Sequence, residues 1–186
     1  MMKLRTVTPE CFSRGSSALM FAICLIFPLF VHADEKLKFA IVSPAFTDNG
    51  GFPVKFTCHG SDTNPPLELK NIPLKTKSIA LTLHDPDAPE GVWVHWVVYN
   101  IKPDTRSIPE NTVPGRELFN DFGKYNYRGP CPVNEKEHHY IFRVYALDEI
   151  MTDVNEGATM KDLEKAIRGH ILAQAQLTGV YRKPVW

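Results

Sequence analysis

The chain has 186 residues, with 21 basic and 21 acidic side chains, 44% hydrophobic and 23% charged content. That composition excludes wholesale disorder, a collagen repeat and a multi-pass membrane protein. The zero formal charge removes the electrostatic case for duplex nucleic acid. Fifteen Pro against eleven Gly argue against a helical bundle, because proline breaks helix interiors.

Lys3, Arg5 and Arg14 precede an apolar run from Ala18 to Val31, closed by His32-Ala33. A basic start, about 14 apolar residues and a small-residue exit read as a secretory signal over 1–33. The run is shorter than the ~20 residues of a membrane span. Cleavage after Ala33 leaves a single domain over 34–186, with 18 basic and 20 acidic residues and a net charge of −2. The expected location is the periplasm or outside the cell. Cys58 and Cys131 are the two cysteines beyond Ala33, and an exporting compartment permits them to pair. The alternative is two buried thiols serving as small apolar side chains.

Leu37 to Val42 opens in β-rich sequence, and Val54 to Thr57 is a short second strand candidate. From Ser78 to Leu83 the apolar residues alternate, predicting a strand with one buried face: Ile79, Leu81 and Leu83. Asp85 continues that parity, at the mouth of the apolar face, while His84 points the other way. Asp85-Pro86-Asp87-Ala88-Pro89 is then a rigid turn, since two prolines exclude a helix interior. A tight return into the next strand favours a cis bond at Ala88–Pro89. Val92 to Asn100 is apolar on both faces, as in a central strand. Alternation there puts His95 on one face with Trp93, Val97 and Tyr99.

Pro103 to Pro132 carries five prolines and few apolar runs, and reads as a long ordered loop region. Within it Gly129-Pro130-Cys131-Pro132 is a stiff loop that allows close backbone approach. His139 to Leu147 is a third strong strand. Its parity puts His138 and Tyr140 on one face and His139 on the other. Thr159 and Asp162 resemble a capping box, and Met160, Leu163 and Ile167 recur at helical spacing before a stop at Gly169. A last strand alternates from Ile171 to Thr178. A Gly loop beside a histidine and a tyrosine hydroxyl offers several donors at one point, which suits a phosphate or carboxylate.

In order, these motifs resemble the phosphatidylethanolamine-binding proteins, the Raf kinase inhibitor-like family, in its bacterial branch. The resemblance runs through Phe56-Thr57-Cys58-His59-Gly60, Asn64-Pro65-Pro66-Leu67, the Asp85 turn and Trp93-Val94-His95-Trp96. It continues through Asn120-Asp121-Phe122-Gly123, Arg128-Gly129-Pro130-Cys131-Pro132, His138-His139-Tyr140 and Gly169-His170-Ile171. It implies a mainly β fold: a large antiparallel sheet packed on a smaller one, with a helix in the C-terminal region. It also implies one small anion pocket built from Asp85, Asp87, Pro89, His95, Gly129, Pro130, His138 and Tyr140. No cofactor or metal is expected. The implied ligand is a small phosphorylated or anionic group such as a phosphoethanolamine head. Modulation of enzymes or kinases and a homodimer are further expectations, with membrane contact limited to a headgroup or an uncleaved signal. The alternative is a weak hydrolase or metal-dependent enzyme using Asp85, His95 and His138, although no activated nucleophile accompanies them.

Overall fold

The computed structural model describes residues 37–155 and 157–184; the expected signal over 1–33 and its boundary at residue 34 lie outside them. Nine strands and one α-helix follow in order: β1 (Ala40–Val42), β2 (Gly50–Gly51), β3 (Leu67–Lys70), β4 (Ser78–Asp85), β5 (Trp93–Ile101), β6 (Ser107–Ile108), β7 (Arg116–Glu117), β8 (His138–Leu147), α1 (Met160–Ala166) and β9 (Ile171–Tyr181). The Val54 segment, expected as a strand, is a 3-10 turn over Val54–Phe56 that follows Pro53. Pro53 presets φ near −65° there, and Thr57 N–H closes the turn on Val54 O.

Six strands form the large sheet in the order β2-β9-β8-β4-β5-β7, and three form the small one, β1-β3-β6. Every pairing is antiparallel except that of the two-residue β2, which runs parallel to β9. The mainly β architecture with a single α-helix is the expected one among the described residues. Between the sheets lies the main core, with Ile41, Leu67 and Leu69 meeting Ile79, Leu81, Leu83, Trp96 and Phe142. Fully burying such side chains stabilises by roughly 1.5–3 kcal/mol each, before the entropy of ordering them.

The outer face of the large sheet is covered as well. Ala80, Val97, Tyr99, Tyr145 and Leu147 pack with Met151, Leu163 and Ile167. The capping box that starts α1 is formed: Thr159 N–H donates to Asp162 Oδ2 at 2.8 Å. This second layer explains a departure from expectation. All eight residues of β4 are buried, not one face of it, because the helix and the chain leading to it shield the side that alternation alone leaves to water.

A second departure is in β5. Leu83 pairs with Trp96 but His84 pairs with Val94, so His95 is an extra residue in the ladder. Such a bulge bends the strand and re-aims a side chain. Trp96 and Val98 therefore face the inter-sheet core, and Val97 and Tyr99 the outer cluster. Strict alternation, which groups His95 with Val97 and Tyr99, fails here, and a second shift between Val98 and Ile101 puts both of those residues in the inter-sheet core.

Candidate functional site

The site forms where β4 ends and β8 and β5 begin. β4 pairs antiparallel with β8 as far as His84 and Ile141, and just beyond that pair Asp85 meets His138. His138 Nδ1–H donates to Asp85 Oδ2 at 2.7 Å, and the two residues are only 2% and 3% exposed. The second Asp85 oxygen accepts from the Asp87 backbone N–H at 2.8 Å, a short-range turn that Asp favours after a strand. His138 Nε2 lies 3.2 Å from Asn134 Oδ1.

The turn from β4 to β5 contains no cis peptide bond, so the Ala88–Pro89 bond is trans, contrary to expectation. Its reversal is made by Gly91 instead, at φ +97°, with Gly91 N–H donating to Ala88 O at 3.0 Å. Glycine enters that left-handed region without a Cβ clash. β5 then delivers His95 through the bulge. Its ring Nδ1–H donates to the carbonyls of Arg128 and Gly129, at 2.8 and 3.0 Å. A carbonyl only accepts, so the tautomer is set and Nε2 is the nitrogen left for other partners. Burial lowers the His95 pKa and outweighs the carbonyls and the Asp85 charge, which raise it.

The loop that supplies those carbonyls is clamped from three directions. Arg128 pairs with Asp62 Oδ2 at 2.5 Å, and Gly129 N–H donates to Asp62 Oδ1 at 2.7 Å. Cys58 N–H donates to Pro130 O, and Cys58 and Cys131 form a disulfide with Cα atoms 5.4 Å apart. Gly129 is required for close approach, since a Cβ there would overlap Phe56 O and meet Thr57 Cα. The Asn120–Gly123 turn fixes another wall. Asn120 Oδ1 accepts from Phe122 and Lys124 N–H, and Asp121 Oδ2 accepts from Val94 N–H. Phe122 is thereby held edge-on to both His95 and Trp93, with ring centroids 5.3 and 5.7 Å away.

Together these groups enclose a cavity of about 230 Å³. Of the eight expected pocket residues, Asp85, Pro89, His95 and His138 line it. Gly129 and Pro130 act from behind the wall through their carbonyls. Tyr140 is fully buried, its ring edge-on to His95 and stacked on His138. Its hydroxyl has no hydrogen-bond partner, and burial, then the Asp85 charge, push its pKa far up. Asp87 faces away: its Oδ2 accepts from both the backbone and the ring of exposed His139. The expected exclusion of His139 agrees with that position.

The lining also includes Trp93, Phe122, Pro132 and Val133, which residue chemistry does not single out as site groups. The Pro-flanked loop and the aromatic at the strand entrance are the signals that point to them. The lining is thus largely apolar apart from the exposed Glu90, with an Asp–His pair and a second imidazole at its polar end.

Comparisons with known proteins agree with this architecture. The family model described as "Phosphatidylethanolamine-binding protein" matches residues 42–182. A UPF0098 protein of Methanothermobacter thermautotrophicus is 43% identical over 146 residues, covering 75% of this chain and 95% of that protein. A phosphatidylethanolamine-binding protein homologue of Chlamydia trachomatis superposes with a TM-score of 0.75 at 36% identity, over 79% of this chain and 99% of that one. Escherichia coli YbcL, described as a member of the mammalian family, gives a TM-score of 0.73 at 29% identity, over 80% and 100%.

Proposed function

Because this chain belongs to the phosphatidylethanolamine-binding protein family, we propose that it binds a small phosphorylated or otherwise anionic ligand in the Asp85–His95–His138 cavity. The observation that carries this reading is the buried Asp85–His138 pair beside a second imidazole whose Nδ1 is already committed. A volume of about 230 Å³ suits a headgroup rather than a whole lipid. Neutral His95 offers Nε2 as an acceptor, so the ligand that fits it brings a proton, as a phosphate monoanion does near its second pKa of ~6. Alternatively His95 takes a proton on binding and donates it. In both cases affinity rises as pH falls below neutral, because the bound anion favours the protonated form over the free site, where burial holds the pKa down. The apolar start of the chain and the disulfide support an exported protein, periplasmic or secreted.

Calorimetric titration with O-phosphoethanolamine tests the reading. His138→Asn keeps an amide donor near the Nδ1 position, toward Asp85, and loses Nε2. It should weaken binding by about 1–3 kcal/mol, the worth of a charge-assisted hydrogen bond. His139→Ala should leave binding unchanged. Equal losses from both, or turnover of phosphomonoesters in place of binding, would overturn the proposal.

A further inference from the structure

The disulfide is not only a clamp on the pocket wall. Cys131 lines the cavity and Cys58 does not. On the Cys58 side stands His59, with Nδ1 3.6 Å from Cys58 Sγ and 3.0 Å from the Tyr181 hydroxyl. Thr57 Oγ1 donates to Val54 O and accepts from His59 N–H, leaving it a lone pair for Tyr181 at 3.3 Å. In the Nδ1–H tautomer of His59, with Tyr181 donating to Thr57, that ring N–H is shared between the phenol oxygen and Cys58 Sγ. The two sulfurs therefore have different surroundings: one opens on the cavity, the other is beside a proton donor. Both cysteines are only partly buried.

We propose that the cavity is a thiol–disulfide exchange site, in which a small aliphatic thiol is captured on Cys131. The thiolate sulfur gives its electron pair to Cys131 Sγ. The new mixed disulfide forms as the Cys58–Cys131 bond breaks, and that bond's electron pair leaves on Cys58 Sγ as a thiolate. No other oxidant or reductant is consumed. The exchange is reversed when Cys58 thiolate attacks Cys131 Sγ and expels the thiol. Because Cys131 lines the cavity and Cys58 does not, a thiol held in the cavity meets Cys131 first, with Cys58 as the leaving group. Departure is faster when the leaving thiolate is stabilised, and His59 Nδ1–H is placed to do so. Trp93, Phe122 and Pro132 give a soft apolar rim that suits a sulfur-bearing guest. This inference stands apart from the anion reading, since it depends on the sulfurs and not on Asp85 or His138.

The test uses the full chain with its disulfide intact. It is treated with limiting L-cysteine, quenched with N-ethylmaleimide, and mapped by peptide mass spectrometry. The expected product carries cysteine on Cys131 and maleimide on Cys58. Cysteine on Cys58, or an even split, would overturn the proposal. The rate at which Cys58 becomes reactive to maleimide should fall about tenfold in His59→Ala, the loss of one hydrogen bond to an anion. His59→Asn, which keeps a donor near the Nδ1 position, should recover most of it. Rates equal to the unaltered protein in both variants would contradict the role of His59.

Discussion

Two aspartate–histidine pairs join the end of β4 to the start of β8. Asp85 meets His138 at 2.7 Å, and two residues further Asp87 meets His139 at the same distance. Chemistry and length are matched; burial is not. The side chains of the first pair are 4% and 2% exposed, those of the second 40% and 47%. In the first pair the second carboxylate oxygen is bonded as well, since Asp85 also accepts from Asp87 N–H. The second pair is in solvent, where water competes for each bond. A carboxylate–imidazole contact is therefore defined by its surroundings: in one place a preorganised polar end to a cavity, in the other a weak staple on a turn.

The largest effect comes from breaking the buried pair. His138→Ala leaves the Asp85 carboxylate buried without its partner. Such a loss costs about 3–5 kcal/mol, against the total of only ~5–15 kcal/mol that holds an ordinary domain. Chemical denaturation at pH 7 measures it. A loss under about 1 kcal/mol would mean the buried pair behaves like the exposed one.

Much of this contrast is legible in the residues. Period-two alternation in β4 and β8 separates Asp85 from His84 and His138 from His139, because β4 pairs regularly with β8 up to His84 and β8 pairs regularly with β9 from His138 to Ala146. The same rule misplaces Val97 and Tyr99 relative to His95, since a bulge in the β4–β5 ladder inserts one residue that no periodicity announces. The family resemblance puts Asp87 in the pocket, but the carboxylate turns to the backbone N–H of His139, a contact that exists only once β8 is docked. Burial of both β4 faces depends on α1, distant in sequence. The sheets and the polar end of the site are therefore local in origin, while the rim and the outer cover come from tertiary packing.

The opposite side of β4 offers a third histidine, buried but unpaired. His84 is a neighbour of Asp85, and its ring Nδ1 has no partner. Desolvation, then the Arg143 charge, lower its pKa to about 4, while Asp85 opposes them. The folded pKa lies below the unfolded value of 6.5, so the unfolded chain binds the extra proton. The neutral ring is accommodated in full above pH 6.5, and stability is lost as pH falls from there toward 4. At pH 5 the expected loss is about 2 kcal/mol. His84→Leu should restore roughly that amount at pH 5 and flatten the acid limb of stability against pH. An acid limb of the same depth in the variant would show that His84 is not the group responsible.

The smallest effect belongs to the exposed pair, and salt is the means to isolate it. Partial desolvation pushes the Asp87 carboxyl up, but the hydrogen bonds from the His139 backbone and ring outweigh it and hold its pKa below the ordinary value. Its contribution is present above the unfolded carboxyl pKa of 3.8 and lost as pH falls through the depressed one. His139→Ala removes the ring and keeps the backbone donor, whereas Asp87→Ala removes both bonds. The double-mutant cycle of the two therefore reads the ring contact alone. Its coupling should be about 0.2–1 kcal/mol at low salt, and should shrink toward zero near 1 M salt, where screening acts over about 3 Å. Coupling of about 3 kcal/mol or more, the range of a broken buried pair, unmoved by salt, would put this pair in the same class as Asp85–His138 and remove burial as the reason for their difference.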